Sequence, residues 1–205
     1  MTDRIPLSIL VLAFPVLLTA GIVLIPVVSD YGDHDQAAQA AAQTARWFSG
    51  HLLAALAFAV SIAAVGRIEV AREAGGGRLP GWTLPLITLG AGLYAAGLGA
   101  DGIGPLAVAA AGGSPALFFD GSGMWVTGVF IAGTLAFGFG LIGLVVAASD
   151  GGVLRGASRP IAFAAALSFM AAPAIPSGWA LYGVALAAFG VFLPLGLGLR
   201  SRPRP

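Results

Sequence analysis

The chain contains no cysteine, no lysine and no asparagine. The first absence removes disulfides, thiolate metal ligands and thiol nucleophiles together. The second leaves arginine as the only strongly basic side chain, and the third removes every N-glycosylation acceptor. Charge is scarce as well. Charged residues fill 9 % of the 205 positions, against about 25 % in an ordinary soluble domain. So few charges cannot cover a water-facing surface of this size, and the natural solvent for most of the chain is lipid. The formal net charge of +1 says little about partners, because the distribution of charge matters here and the sum does not; nucleic acid is not expected among them. The motifs of soluble catalysis are missing too: there is no G-x-S-x-G elbow, no H-E-x-x-H and no P-loop. Two G-x-G-x-x-G matches, Gly97 to Gly102 and Gly138 to Gly143, lie in apolar runs with no strand before them. In a chain with 31 glycines such matches arise by chance.

What is present is hydrophobic length. Hydrophobic residues make up 58 % of the chain and the mean hydropathy is +0.94. A bilayer core takes about 20 consecutive apolar residues in helical form. Six stretches qualify: residues 5–28, 47–66, 82–100, 124–148, 160–176 and 179–199, none of which holds an Asp, Glu or Arg. The pattern predicts an all-α membrane protein, a six-transmembrane-helix bundle forming one domain over residues 1–205. The first stretch follows Arg4 as a secretory signal would, but it runs well beyond the roughly 7–15 residues of a signal's apolar region and reads as a retained helix. The fifth is the shortest, with Pro173 and Pro176 at its end.

Arginine sets the expected orientation. Arg4, Arg67, Arg72, Arg78, Arg155, Arg159, Arg200, Arg202 and Arg204 fall on one side of a six-span arrangement, and Arg46 alone on the other. The positive-inside rule then puts both termini in the cytoplasm, in a multi-pass protein of the cell's inner membrane. The Ala-, Gly- and Arg-rich usage fits a GC-rich prokaryotic genome, by association rather than by physics. Trp47, Trp82, Trp125 and Trp179 each begin a span, where indole rings favour the headgroup boundary. Within lipid, helices associate through small residues that let backbones approach. Strips at every fourth position occur at Gly50, Ala54, Ala57 (one step short) and Ser61, at Thr88, Gly92, Ala96 and Ala100, and at Gly128, Ala132, Ala136 and Gly140. All three predict helix crossings. Pro15 is expected to kink the first helix.

Polar chemistry concentrates on the side away from the arginines. His51 sits one turn inside the boundary marked by Trp47, a depth at which an ionisable group is a functional candidate. Gln43, Trp47 and His51 share one helix face, and Asp101 and Asp120 are the carboxylates expected to reach it. These five form the candidate ligand site. The segment Asp30, Asp33, His34 and Asp35 is a second candidate, for a metal ion, since carboxylates and imidazole ligate hard and borderline cations. Its competing explanation is a helix start, with Asp33 and Gln36 spaced like a capping box. If residues 33–66 formed one helix, His34 and His51 would stand about 25 Å apart at about 1.5 Å per residue. Joint use of both requires a break near residues 41–46. In the loop 101–123, Pro105 is expected to open a short helix over 106–111, with Leu117, Phe118 and Phe119 lying on the interface or folding over the bundle as a lid.

These features favour a non-catalytic membrane protein that binds a lipophilic ligand or serves as an accessory subunit of a membrane complex. Its partners would be membrane lipids and other membrane subunits or a second copy. The alternatives are a haem- or pigment-binding redox protein using His51, a carrier or channel opening to the outer side, and an enzyme acting on lipid or quinone with His51 as base. No cofactor can be named from the residues.

Overall fold

A computed structural model describes residues 6–74 and 76–200. The described chain is helical, with no strand. Its elements are α1 (Leu7–Leu24), α2 (His34–Ala41), α3 (Thr44–Ala74), α4 (Thr83–Ala110), α5 (Ala116–Asp150), α6 (Ser158–Ala171), a 3₁₀ turn over Ala172–Ala174, and α7 (Trp179–Arg200). Five of these, α1, α3, α4, α5 and α7, are long and apolar enough to cross a membrane. At 14 residues α6 is not, taken alone.

The boundaries follow from proline and glycine. α1 runs through Pro15 and stops short of the expected residue 28, because Pro26 disfavours helical geometry in the residue before it. Ile25 is accordingly extended, with ψ at 126°. The 3₁₀ turn carries Pro173, and Ile175, just before Pro176, is again extended. The turn from α4 to α5 passes through Gly112 at φ +83°, a conformation that favours glycine.

The six longer helices form a ring. α1 packs on α3, α3 on α4, α4 on α5, α5 on α6, α6 on α7, and α7 returns to α1. Consecutive members run antiparallel: on α1 and α3, for example, Phe14 meets Phe58 while the later Gly21 meets the earlier Gly50, and small residues mark the crossings. A Cβ added to Gly21 on α1 would lie 2.8 Å from the Gly50 carbonyl on α3, and one on Gly190 would lie 2.6 Å from Ala165. The α3 strip therefore packs as expected, with Gly50, Ala54, Ala57 and Ser61 all buried. The α4 strip does not. Thr88, Gly92, Ala96 and Ala100 are exposed, and α4 instead turns Ile87, Gly90, Ala91, Tyr94 and Gly97 inward. On α5 the upper half of the expected strip, Gly128 and Ala132, is likewise exposed, while Ala136 and Gly140 are buried.

The ring has no open axis. Each of its six helices contributes one aromatic side chain to a central cluster: Phe14, Phe58, Tyr94, Phe137, Phe169 and Phe192, none more than 7 % exposed. Phe58 stacks on Tyr94 with ring centroids 4.2 Å apart. Phe14 meets Phe192 at 4.9 Å and Phe58 at 5.5 Å, and Phe137 meets Phe169 at 5.4 Å. The Tyr94 hydroxyl, which would be costly to bury alone, pairs with the Thr134 hydroxyl at 2.6 Å.

At the arginine end, Arg72 donates to the Ala147 carbonyl at 2.9 Å, in the last turn of α5. A cation there is favoured by the helix dipole. Arg200 donates to Ser8 at 3.1 Å, tying α7 to the start of α1. At the opposite, histidine end, α4 and α5 overshoot. Their 28 and 35 residues span about 42 and 52 Å, against a hydrocarbon core of about 30 Å. The loop 101–123 is thus mostly helix, and the expected short helix at 106–111 is instead the last turns of α4. Pro105 is accommodated inside it.

Candidate functional site

The histidine end holds a layered cluster built by four helices. At its base lies His51, 4 % exposed. Its Nδ1–H donates to the Trp47 carbonyl one turn earlier, at 2.7 Å, and its Nε2 faces Asp101 Oδ2 at 3.2 Å. A carbonyl only accepts, so Nδ1 carries a proton; the second bond needs another, on the ring or on the carboxyl. The approach of α3 to α4 that makes this pair depends on Gly102, where an added Cβ would lie 2.8 Å from His51 Cβ.

Trp47 covers the imidazole, with ring centroids 4.5 Å apart. It is the exception among the tryptophans. Trp82, Trp125 and Trp179 are 46–71 % exposed, whereas Trp47 is 2 % exposed. Its indole N–H donates to the Asp101 backbone carbonyl at 2.9 Å. That carbonyl is free because Pro105, four residues later, has no N–H to offer it. The proline read as a helix start is therefore what releases an acceptor for Trp47, and the spacing of Asp101 and Pro105 was the available signal. Asp101 thus receives α3 twice, through its carboxyl and through its main chain.

Above Trp47 sits the edge of Phe119, at 6.1 Å and 83°, and above that His34, 6.5 Å from Phe119. His34 Nδ1 pairs with Asp120 of α5. These contacts place α2 across the end of the bundle, against α3, α4 and α5. The fold-back needs the break between α2 and α3 at Ala42 and Gln43, so residues 33–66 are not one helix. The cover over His51 is accordingly α2 together with Phe119, rather than the loop 101–123 by itself.

Of the five expected ligand-site residues, the structure brings together His51, Trp47 and Asp101. Asp120 meets His34 instead. Gln43 lies on the outside of the break, where it accepts from Arg46 at 3.0 Å while Arg46 also donates to the Leu24 carbonyl. Tyr31, which the sequence did not single out, belongs to the same region. It keeps 41 % of its surface open, but its hydroxyl end is tucked toward Gly178, whose added Cβ would lie 3.5 Å away. That burial first, and the Asp101 carboxylate second, push the phenol above its ordinary value. Its main-chain N–H donates to Pro176 at 3.1 Å, and Gly178 donates to Val28 at 2.7 Å, joining this segment to the α6–α7 turn.

The metal candidates are engaged in local structure. Asp33 accepts from the Gln36 N–H at 2.9 Å as the N-cap of α2. Asp30 accepts from Gly32 at 2.8 Å, and Asp35 lies in the first turn of α2, where the dipole favours an acid. The Gln36 side chain reaches back further than a capping box requires, accepting from Ser29 and from Asp30 N–H. Among the described residues no three His, Asp or Glu side chains converge as metal ligands would. Comparison with family models, with curated proteins and with solved structures returns no match.

Proposed function

We propose that the chain is a six-span protein of the cell membrane, both termini cytoplasmic, that acts as a non-catalytic subunit of a larger membrane assembly. Three observations support six spans. α6 supplies Phe169 to the central cluster as an equal member of the ring. Its 14 residues and the 3₁₀ turn that continues it together reach about 27 Å. A sixth crossing also returns the chain to the arginine side, where Arg72, Arg155, Arg159 and Arg200 mark the cytoplasm.

The observation that carries the subunit role is the open face of α4. Thr88, Gly92, Ala96 and Ala100 are exposed together with Leu89 and Ile103, and an added Cβ on Gly92 would meet nothing within 4 Å. Small residues spaced in this way bring a second transmembrane helix close, and the ring's own packing leaves this face unused. The filled axis supports a body that conducts nothing through itself, and a His51 with both nitrogens engaged supports a structural rather than a ligating imidazole.

The test is the mass of the protein extracted from its native membrane in a mild detergent. An assembly heavier than the 20.4 kDa chain is expected, dissociating in a Gly92→Leu variant that keeps its helix content. A monomer in both cases would sink the reading.

A further inference from the structure

We infer that the gap between α5 and α6 at the arginine end is a binding site for one anionic phospholipid. The gap is a one-sided groove of about 320 Å³ lined by Val145, Val146 and Ser149 on α5 and by Arg159, Pro160 and Phe163 on α6. This volume is at the lower end of the range for small-molecule sites, about 300–1,000 Å³. Four of its six walls are hydrocarbon, and it opens on the surface that faces lipid, so an acyl chain is what fills it.

Which lipid is chosen depends on the mouth of the groove. Arg159 is exposed; its main-chain N–H donates to Gly156 at 3.4 Å, and no hydrogen bond or ion pair with a described residue holds its guanidinium. The other polar groups nearby are already directed elsewhere. The Ser149 hydroxyl donates to the Val145 carbonyl at 2.8 Å, and the Arg155 Nε–H donates to the Gly152 carbonyl at 2.7 Å. Asp150 ends α5 next to Ser149 in the chain, and Arg159 is the charged group that lines the groove itself. The mouth also coincides with the N-terminus of α6, whose dipole favours an anion. Guanidinium offers a paired donor fork that suits a phosphodiester, and basic pockets between membrane helices on the cytoplasmic side select anionic headgroups in this way. An acyl chain against Val146 and Phe163 puts the phosphate at Arg159.

The probe is phosphatidylglycerol in competition with phosphatidylcholine of the same chains, at equal concentration in detergent micelles, read by native mass spectrometry of the full-length protein. One retained phosphatidylglycerol per chain is expected, preferred over phosphatidylcholine by about fivefold or more, the factor supplied by about 1 kcal/mol per arginine near an anionic surface. Arg159→Gln should lose the preference and keep the far-ultraviolet circular dichroism of the parent. Val146→Trp should fill the groove and expel both lipids while leaving the charge in place. Phosphatidylglycerol retained undiminished by Arg159→Gln would overturn the headgroup contact, and retention by Val146→Trp would overturn the groove. Displacement by millimolar inorganic phosphate would show a phosphate site rather than a lipid site, and would overturn the proposal as well.

Discussion

Gly90 and Gly92 lie two residues apart on α4 but face opposite ways, which makes their alanine variants a test of the ring. A methyl on Gly90 would stand 2.6 Å from Phe137 Cβ and 2.7 Å from Phe137 Cα. It comes closer still to Phe137 N, so to restore an ordinary 3.4 Å contact α4 and α5 must part by about 1 Å. Part of what it strikes is helix backbone, so no rotamer change relieves it, and overpacking of this kind costs about 1–3 kcal/mol. A methyl on Gly92 meets nothing within 4 Å. Both substitutions gain the same helix propensity, about 1 kcal/mol, so the difference between them isolates the packing term. Gly90→Ala is expected to be less stable than Gly92→Ala by about 1–3 kcal/mol, with Gly92→Ala at or slightly above the parent. The assay is reversible unfolding in mixed micelles with increasing dodecyl sulfate, followed by tryptophan emission. Equal stabilities, or a reversed order, would mean that α4 does not present Gly90 to α5, and the ring described above would be wrong.

Other expectations concern the histidine end and the topology. Asp101→Ala leaves the buried His51 Nε2 without its partner, a loss of about 1–3 kcal/mol; the same unfolding assay checks it, and an unchanged midpoint would show the pair to be idle. Asp33→Ala removes the N-cap of α2 and should cost about 1 kcal/mol, felt locally as faster amide exchange over His34–Ala41 with α3 unaffected. Because the chain has no cysteine, single cysteines report on sidedness without a background. Arg78→Cys and Ser114→Cys, at opposite ends of α4, should be labelled by an impermeant maleimide only from opposite faces of the membrane, with Arg78→Cys reached from the cytoplasm. Labelling of both from one face would contradict the proposed topology.

The helical, membrane-crossing character was legible in the sequence because hydropathy is a sum over about 20 residues, and no single contact can reverse it. Which strip of small residues faces which helix was not legible. The strips through Gly50 and Gly92 have the same chemistry and nearly the same spacing, yet one is buried and the other open. The choice is made by Phe137, whose ring must reach the central cluster and whose backbone then needs Gly90 rather than Gly92 opposite it. The break at Ala42 and Gln43 was equally silent, since alanine and glutamine are good helix formers. What breaks the helix is tertiary: Phe119 and Asp120 hold α2 across the end of the bundle. His51 with Asp101 was readable as a pairing of types, while the roles of Gln43 and Asp120 depended on the direction of that break.

The histidine end is assembled from groups that satisfy one another. His51 has both ring nitrogens engaged, Nδ1 with the Trp47 carbonyl and Nε2 with Asp101. The carbonyl released by Pro105 is taken by Trp47, and Trp47 in turn fills the space above the ring. Each polar group that lipid would penalise is therefore answered by another within the same cluster, as burial in a low dielectric demands. The two His–Asp pairs also differ in kind: His51 with Asp101 lies beneath Trp47, while His34 with Asp120 is half-exposed at the surface of α2. The inner pair fastens α3 to α4, and the outer pair fastens α2 to α5. Between them, Phe119 meets Trp47 edge to face. Together these contacts hold α2, α3, α4 and α5 in register at the histidine end.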